Sequence, residues 1–279
     1  MGIVQAAPGR SAEDLDLISA EIFDLLWGHE LRGLPTAVDH AYQMIWRQLV
    51  GGGRRHGERV QDTELAAQLG LSRTPVRQAL HRLAQDGLVR FDPRRGFSVR
   101  EFTARDIQEI FDVRCALEVL ALRLAAPQLQ RQELRAELEQ LYTVRSRLSE
   151  NPVALYLQND LRLHNMIIRA SGNRSLIRIL ATLRSQHGLF QLRDTFYPGR
   201  MEVSLDDHER ILLALIEGRF EQGADLLAEH ITNARNGILA DIYGVKEVVP
   251  LPVESPDLSL SAGGRASESG APGNGPSAP

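Results

Sequence analysis

Cysteine and lysine are nearly missing from this chain. Cys115 is the one thiol among 279 residues, which excludes an internal disulfide and suits a reducing cytoplasm. Of the 32 basic residues only Lys246 is a lysine, a bias that a GC-rich genome would impose whatever the protein does. No apolar run reaches the ~18 residues of a membrane helix before Arg, Glu or Asp breaks it. No charged-then-apolar leader opens the chain, so the expectation is a cytoplasmic, nucleoid-associated protein without membrane contact. Convincing strand patterns stop at Thr103, and no internal repeat is visible.

Hydrophobic residues make up 43% of the chain and charged residues 24%, enough for a sizeable core in one large or two medium domains. The net charge of −4, taken alone, argues against a nucleic-acid partner. Its distribution argues the other way. Residues 39–101 hold eleven arginines against seven acids, a net of +4, which leaves −8 for the remainder. A basic module on an acidic body is expected where one part meets phosphate and the other does not.

Four regions follow from the pattern. Residues 1–35 form an extension whose "SAEDLDLISAEIFDLLW" reads as a short amphipathic helix, opened by Ser11 with Asp14 and striped by Leu15, Ile18, Ile22 and Leu25. Leu15 to Leu26 is expected to dock on a helical body, its own or a partner's. Residues 36–102 read as three helices and two strands. Tyr42, Ile45 and Leu49 face inward on the first helix, Gly70 ends the second, and Ser72 caps the third with Pro75 in its first turn. "LVRF", "DPRR" and "GFSVREF" then make a hairpin with a tight basic turn. Residues 103–245 show helical spacing throughout, over roughly 103–126, 132–149, 153–171, 174–195, 204–217 and 219–243. Residues 246–279, rich in Pro, Gly, Ser and Ala, are expected to be disordered. The fold class is mainly α: a winged helix-turn-helix followed by an all-helical antiparallel bundle.

"GLSRTPVRQALHRLAQDGLV" carries the first functional argument. A helix N-terminus offers unpaired N–H groups and a positive dipole end, which suit phosphate. Arg73 and Arg77, one turn apart, can reach guanine edges in a major groove, and Thr74 can meet phosphate or a thymine methyl. Arg94 and Arg95 in the hairpin turn can enter a minor groove, and Gly96 allows close backbone approach. Solvated surface arginines are the bland alternative, but they do not explain cap, arginine pair, glycine turn and basic wing in that order. The stretch "ELAAQLGLSRTPVRQALHRLAQDGLVRFDPRRGFSV" resembles the DNA-binding domain of GntR-type bacterial transcription regulators. The resemblance implies that Arg73, Thr74 and Arg77 read or grip operator DNA and that Gly96 at the wing helps; Arg95 joins them on the wing reading above. Asp62 and Thr63 stand where many members carry Glu-Arg, so one arginine contact of those relatives is missing here.

The body turns ionisable groups inward. Asp160 and His164 lie four apart on the stripe of Leu157, Leu161 and Ile168. His208 shares a stripe with Leu205, Ile211, Leu212 and Leu215, on a helix read as capped by Ser204 with Asp207. His230 shares one with Gly223, Leu226, Leu227, Ala234 and Ile238. A buried carboxylate costs several kcal/mol unless paired or metal-bound. Any one of these histidines could be a satisfied core residue, and Asp160 with His164 a plain helix-face hydrogen bond. Three imidazoles and a carboxylate together suit Zn, Ni, Fe, Mn or Cu.

Residues 103–241 resemble the all-helical ligand domain of FadR-type GntR regulators, in the metal-binding branch marked by Asp-x3-His, His and His. That resemblance implies that Asp160, His164, His208 and His230 hold a divalent transition metal, Zn first and Ni, Mn or Fe as alternatives. It also implies a small organic acid on the open coordination positions. Arg114 is a candidate for the acid's second carboxylate or a hydroxyl oxygen; an internal Arg114–Glu118 pair is the competing reading. The implied protein is a homodimeric regulator, most simply a repressor, and not an enzyme. Two other readings remain: a purely structural ion with no effector, and a metal-dependent hydrolase or lyase fused to a DNA-binding module, for which no poised general base is apparent.

Overall fold

Residues 19–20, 23–24, 36–149, 152–194 and 198–244 are described by the computed structural model. The whole N-terminal stripe of Leu15, Ile18, Ile22 and Leu25, and the segment from 245 onward, lie outside the described residues. Phe23, which is not one of the stripe positions read from sequence, is fully buried against Tyr42 and Trp46, with ring centroids 6.2 and 5.3 Å away. This contact places it on the DNA-binding domain, whereas the sequence suggested the helical body.

The N-terminal domain begins with α1 (Ala37–Val50). Thr36 and Asp39 form a reciprocal capping box at its start, so two otherwise orphaned N–H groups are satisfied. Its inner face carries Ala41, Tyr42, Ile45, Trp46 and Leu49, all buried, which are the positions a 3.6-residue period brings to one side. α2 (Asp62–Leu69) ends at Gly70, whose φ of +65° is the left-handed cap that glycine adopts at no steric cost. α3 (Arg73–Gln85) buries Val76, Ala79, Leu80 and Leu83. Ser72 occupies its N-cap with extended backbone, but its hydroxyl makes no capping hydrogen bond.

The sheet has three strands where the sequence suggested two. β1 (Arg59–Val60) pairs with β3 (Gly96–Val99), which also pairs with β2 (Val89–Asp92), all antiparallel in the order β1-β3-β2. Two residues are too few for an alternating pattern to register, so β1 leaves no trace in sequence. Asp92 opposite Gly96 closes the wing, where the Asp92 carboxylate accepts from the backbone N–H of Arg94 and Arg95 at 2.7 and 3.0 Å.

The body contains α4 (Ala104–Ala125), α5 (Arg131–Arg147), α6 (Pro152–Ala170), α7 (Arg174–Asp194), α8 (Pro198–Ile216) and α9 (Phe220–Tyr243). α4 opens on a second capping box, Thr103 with Asp106, and packs on α6, α7 and α9. α8 starts earlier than its apolar stripe suggested. Ser204 is therefore not a cap; it lies inside the helix and accepts a hydrogen bond from the Tyr156 hydroxyl at 3.1 Å. α7 leaves the bundle on one side to pack against α1.

Candidate metal and effector site, and the DNA-facing surface

The inward stripes of α6, α8 and α9 meet at one point. Asp160 and His164 come from α6, His208 from α8 and His230 from α9, and all four are buried. One potential ligand atom from each lies within 4.8 Å of every other. His230 Nε2 is 3.3 Å from both His164 Nε2 and His208 Nε2, and Asp160 Oδ1 is 3.6 and 3.8 Å from those two nitrogens. Adjacent ligands about 2.1 Å from a five- or six-coordinate ion stand roughly 3.0–3.7 Å apart, so this spacing fits a small divalent ion with one or two coordination positions left open.

What lies behind each ring matters as much. His164 Nδ1 faces Glu118 Oε2 in a short contact, His208 Nδ1 faces Asn159 Oδ1 at 2.8 Å, and His230 Nδ1 faces Asp207 Oδ2 at 3.5 Å. An oxygen acceptor at Nδ1 places the ring proton there, so each Nε2 presents a lone pair to the centre. Burial also pushes the His164 and His208 pKa values down, with Glu118 opposing for His164 and His230 reinforcing for His208. Burial raises the Asp160 carboxyl, but His164 and Arg184 outweigh it and hold the group ionised, well below the usual range. Three lone pairs and a carboxylate oxygen converging without a proton between them repel one another unless a cation sits among them.

A ring of charge surrounds the cluster. Arg114 donates Nε and Nη2 to Glu118 Oε1 at 3.3 and 3.2 Å and places Nη1 3.0 Å from His187 Nδ1, so the internal pair weighed from sequence is formed. Arg184, unnoticed in the sequence, donates Nη2 to Asp160 Oδ2 at 3.2 Å. Its Nε and Nη1 are buried without a hydrogen-bond partner, as is Asn159 Nδ2. Arg184 and His187 extend the buried line Leu176, Leu180 on α7, which was the available signal.

The opposite side of α7 touches the other domain. Gln186 donates Nε2 to the Asp86 carbonyl, at the end of α3, at 2.8 Å and accepts from Arg100 Nη1 at 3.5 Å. Arg100 also donates Nη1 to the Gly87 carbonyl at 3.4 Å and Nη2 to Asp106 at 2.8 Å. Gly87 has φ +73°, and a Cβ there would be strained and would push Gln186 Nε2, 2.6 Å away, out of this node. Gly188, two residues on, fits against Val50 of α1.

The sequence-chosen DNA residues are at the surface. The side chains of Arg73 and Arg77 are 63% and 55% exposed, and Thr74 and Arg95 are exposed as well. Gly96 has φ +81° with nothing within 4 Å of a built Cβ, an open backbone at the wing.

Known proteins match both halves. The family of bacterial regulatory proteins called gntR matches residues 37–99, and the FCD domain matches residues 109–233. The chain is 30% identical over 178 residues to the HTH-type transcriptional regulator YdhC of Bacillus subtilis, covering 61% of this chain and 76% of YdhC. It is 29% identical to the probable D-xylose utilization operon transcriptional repressor of Paenarthrobacter nicotinovorans, over 70% of this chain and 86% of the other. Among solved structures, E. coli McbR/YncC superposes with a TM-score of 0.62 at 26% identity, covering 73% of this chain and 97% of that one.

Proposed function

The chain belongs to the GntR family of bacterial transcription regulators and carries an FCD domain, and from that premise we propose a cytoplasmic homodimeric repressor whose operator affinity is set by a small organic acid bound at a divalent metal. The observation that carries the metal is the convergence of three Nε2 lone pairs and Asp160 Oδ1, each ring fixed from behind by an oxygen acceptor. Zn suits this donor set and spacing, with Ni, Mn and Fe as alternatives. A bound ion supplies fixed positive charge and open positions for a carboxylate. The chain's own contribution is Arg184, whose Nε is buried without a hydrogen-bond partner and whose Nη1 has only Glu118 Oε1 at 3.7 Å beside it, so both suit a second oxygen of the acid. Arg114 holds Glu118, and through it His164; it reaches the acid only by exchanging that partner.

Arg73, Thr74 and Arg77 are assigned to the major groove, and Arg95 and Gly96 to the backbone or minor groove. The dimer is supported by α4, which leaves Val113, Ala116, Leu120 and Leu124 exposed along one face at helical spacing. Signal transfer is assigned to α7, which contacts Asp160 on one side and the end of α3 on the other.

The test selects duplexes from a random pool with the full chain, then measures affinity for the selected site with zinc and a panel of small carboxylates. A reproducible site whose affinity shifts at least fivefold with one acid is expected. A site that binds but answers to no acid, with zinc bound stoichiometrically, favours the purely structural ion. Turnover of an acid instead favours the enzyme reading.

A further inference from the structure

One carboxylate stands among the arginines assigned to DNA. Asp62, the first residue of α2, accepts from Arg73 Nη2 at 3.3 Å through Oδ1 and 3.4 Å through Oδ2. Its Oδ2 is also 3.8 Å from Arg77 Nη1. The Asp62 side chain is 17% exposed, whereas the two arginines are more than half exposed. A rigid anion on the scaffold helix therefore tethers two long cations on the recognition helix.

A surface evolved only to grip phosphate gains nothing from that carboxylate. It subtracts one unit of positive charge where counterion release would otherwise raise affinity for any duplex. Its return lies elsewhere. Fixing a long arginine side chain costs rotamer entropy, and a guanidinium already held through one Nη keeps its remaining donors free for a guanine edge. Tethering thus favours a partner with fixed bidentate acceptors over one that offers only charge.

We propose that Asp62 is a positioning residue for Arg73 and Arg77, weakening the grip on random DNA while sharpening discrimination for the operator. The inference rests on the assignment of those two arginines to base reading, so the test separates the two failures.

The full-length protein is titrated against a duplex selected from a random pool and against a scrambled duplex of equal length, by fluorescence anisotropy at two or more salt concentrations. Asp62→Asn, a near-isosteric change at a partly buried position, is expected to bind the scrambled duplex more tightly, with a steeper salt dependence. The ratio of selected to scrambled affinity is expected to fall about tenfold. Asp62→Glu, which keeps the charge, should restore most of that ratio, whereas a merely structural role would not follow charge in this way. An unchanged ratio in Asp62→Asn, with Arg77→Ala lowering it, overturns the proposal. A loss confined to one C·G pair overturns it too, because the carboxylate would then be reading cytosine itself. If neither Arg73→Ala nor Arg77→Ala changes the ratio, the base-reading assignment has failed and the proposal falls with it.

Discussion

Glu118 illustrates how far the cluster depends on a side chain that offers it no ligand. Its buried carboxylate accepts two hydrogen bonds from Arg114 and faces His164 Nδ1, neutralising one group and orienting the other. Removing it outright would leave an uncompensated buried guanidinium, at a cost of about 3–5 kcal/mol. Glu118→Gln keeps the volume but replaces a carboxylate by a weaker acceptor. It is expected to lower zinc affinity about 10- to 100-fold while all four ligands remain, measured by competition with a chelator. Unchanged affinity would show that ring packing alone orients His164. The four inward groups were legible in sequence because each interrupts an apolar stripe with a residue that burial penalises. Glu118 and Arg184 were harder to place, since a long charged side chain at a stripe's edge is ordinarily solvated.

The start of α4 joins the two domains, and its capping box is a titratable device. The Thr103 hydroxyl, opposed by burial and aided by Arg100, holds the Asp106 carboxyl below the usual range. A depressed carboxyl contributes stability that is full above its unfolded pKa, near 3.9, and is lost as pH falls through the folded value. Asp106→Ala should therefore destabilise the protein by about 0.5–2 kcal/mol at neutral pH, the size of a lost cap. The gap from wild type should close on acidification below about pH 4. A gap that does not narrow at all as pH falls below about 4 in chemical denaturation would contradict this assignment. α7 carries the second prediction of this kind. Gln186→Ala should leave zinc content unchanged and shrink the acid-induced change in DNA affinity toward one, from the 5- to 150-fold that couplings typically span. An undiminished response would route the signal elsewhere. Most helices were legible because their faces are regular and some of their ends explicit, as at Gly70, whereas the Thr36–Asp39 capping box went unread. β1 was too short to read, and the early start of α8 was hidden because Ser204 with Asp207 imitates a capping signal in mid-helix.

For the whole molecule, one basic module and one acidic bundle share a chain, and an exposed apolar face on α4 remains. Leu120→Glu places a charge at the centre of that face and is expected to convert a dimer to a monomer in sedimentation experiments, with the fold intact. A dimer that survives the substitution would locate the interface on another surface. The two-part architecture was legible because charge, periodicity and punctuation all change near residue 102. The contact between α7 and the end of α3 was not, since nothing local in "LRSQHG" marks Gln186 as the residue that crosses between domains. The most direct test of a metal-held acid sensor is a thermal-shift titration of zinc-loaded protein with small hydroxy-, keto-, di- and aromatic carboxylates, run beside His208→Ala. A ligand that binds only the folded state raises stability in proportion to the logarithm of its concentration. The account predicts at least one acid that does so in the wild type and not in His208→Ala. Stabilisation of equal size in both proteins, or none in a wild type that retains its zinc, would contradict it.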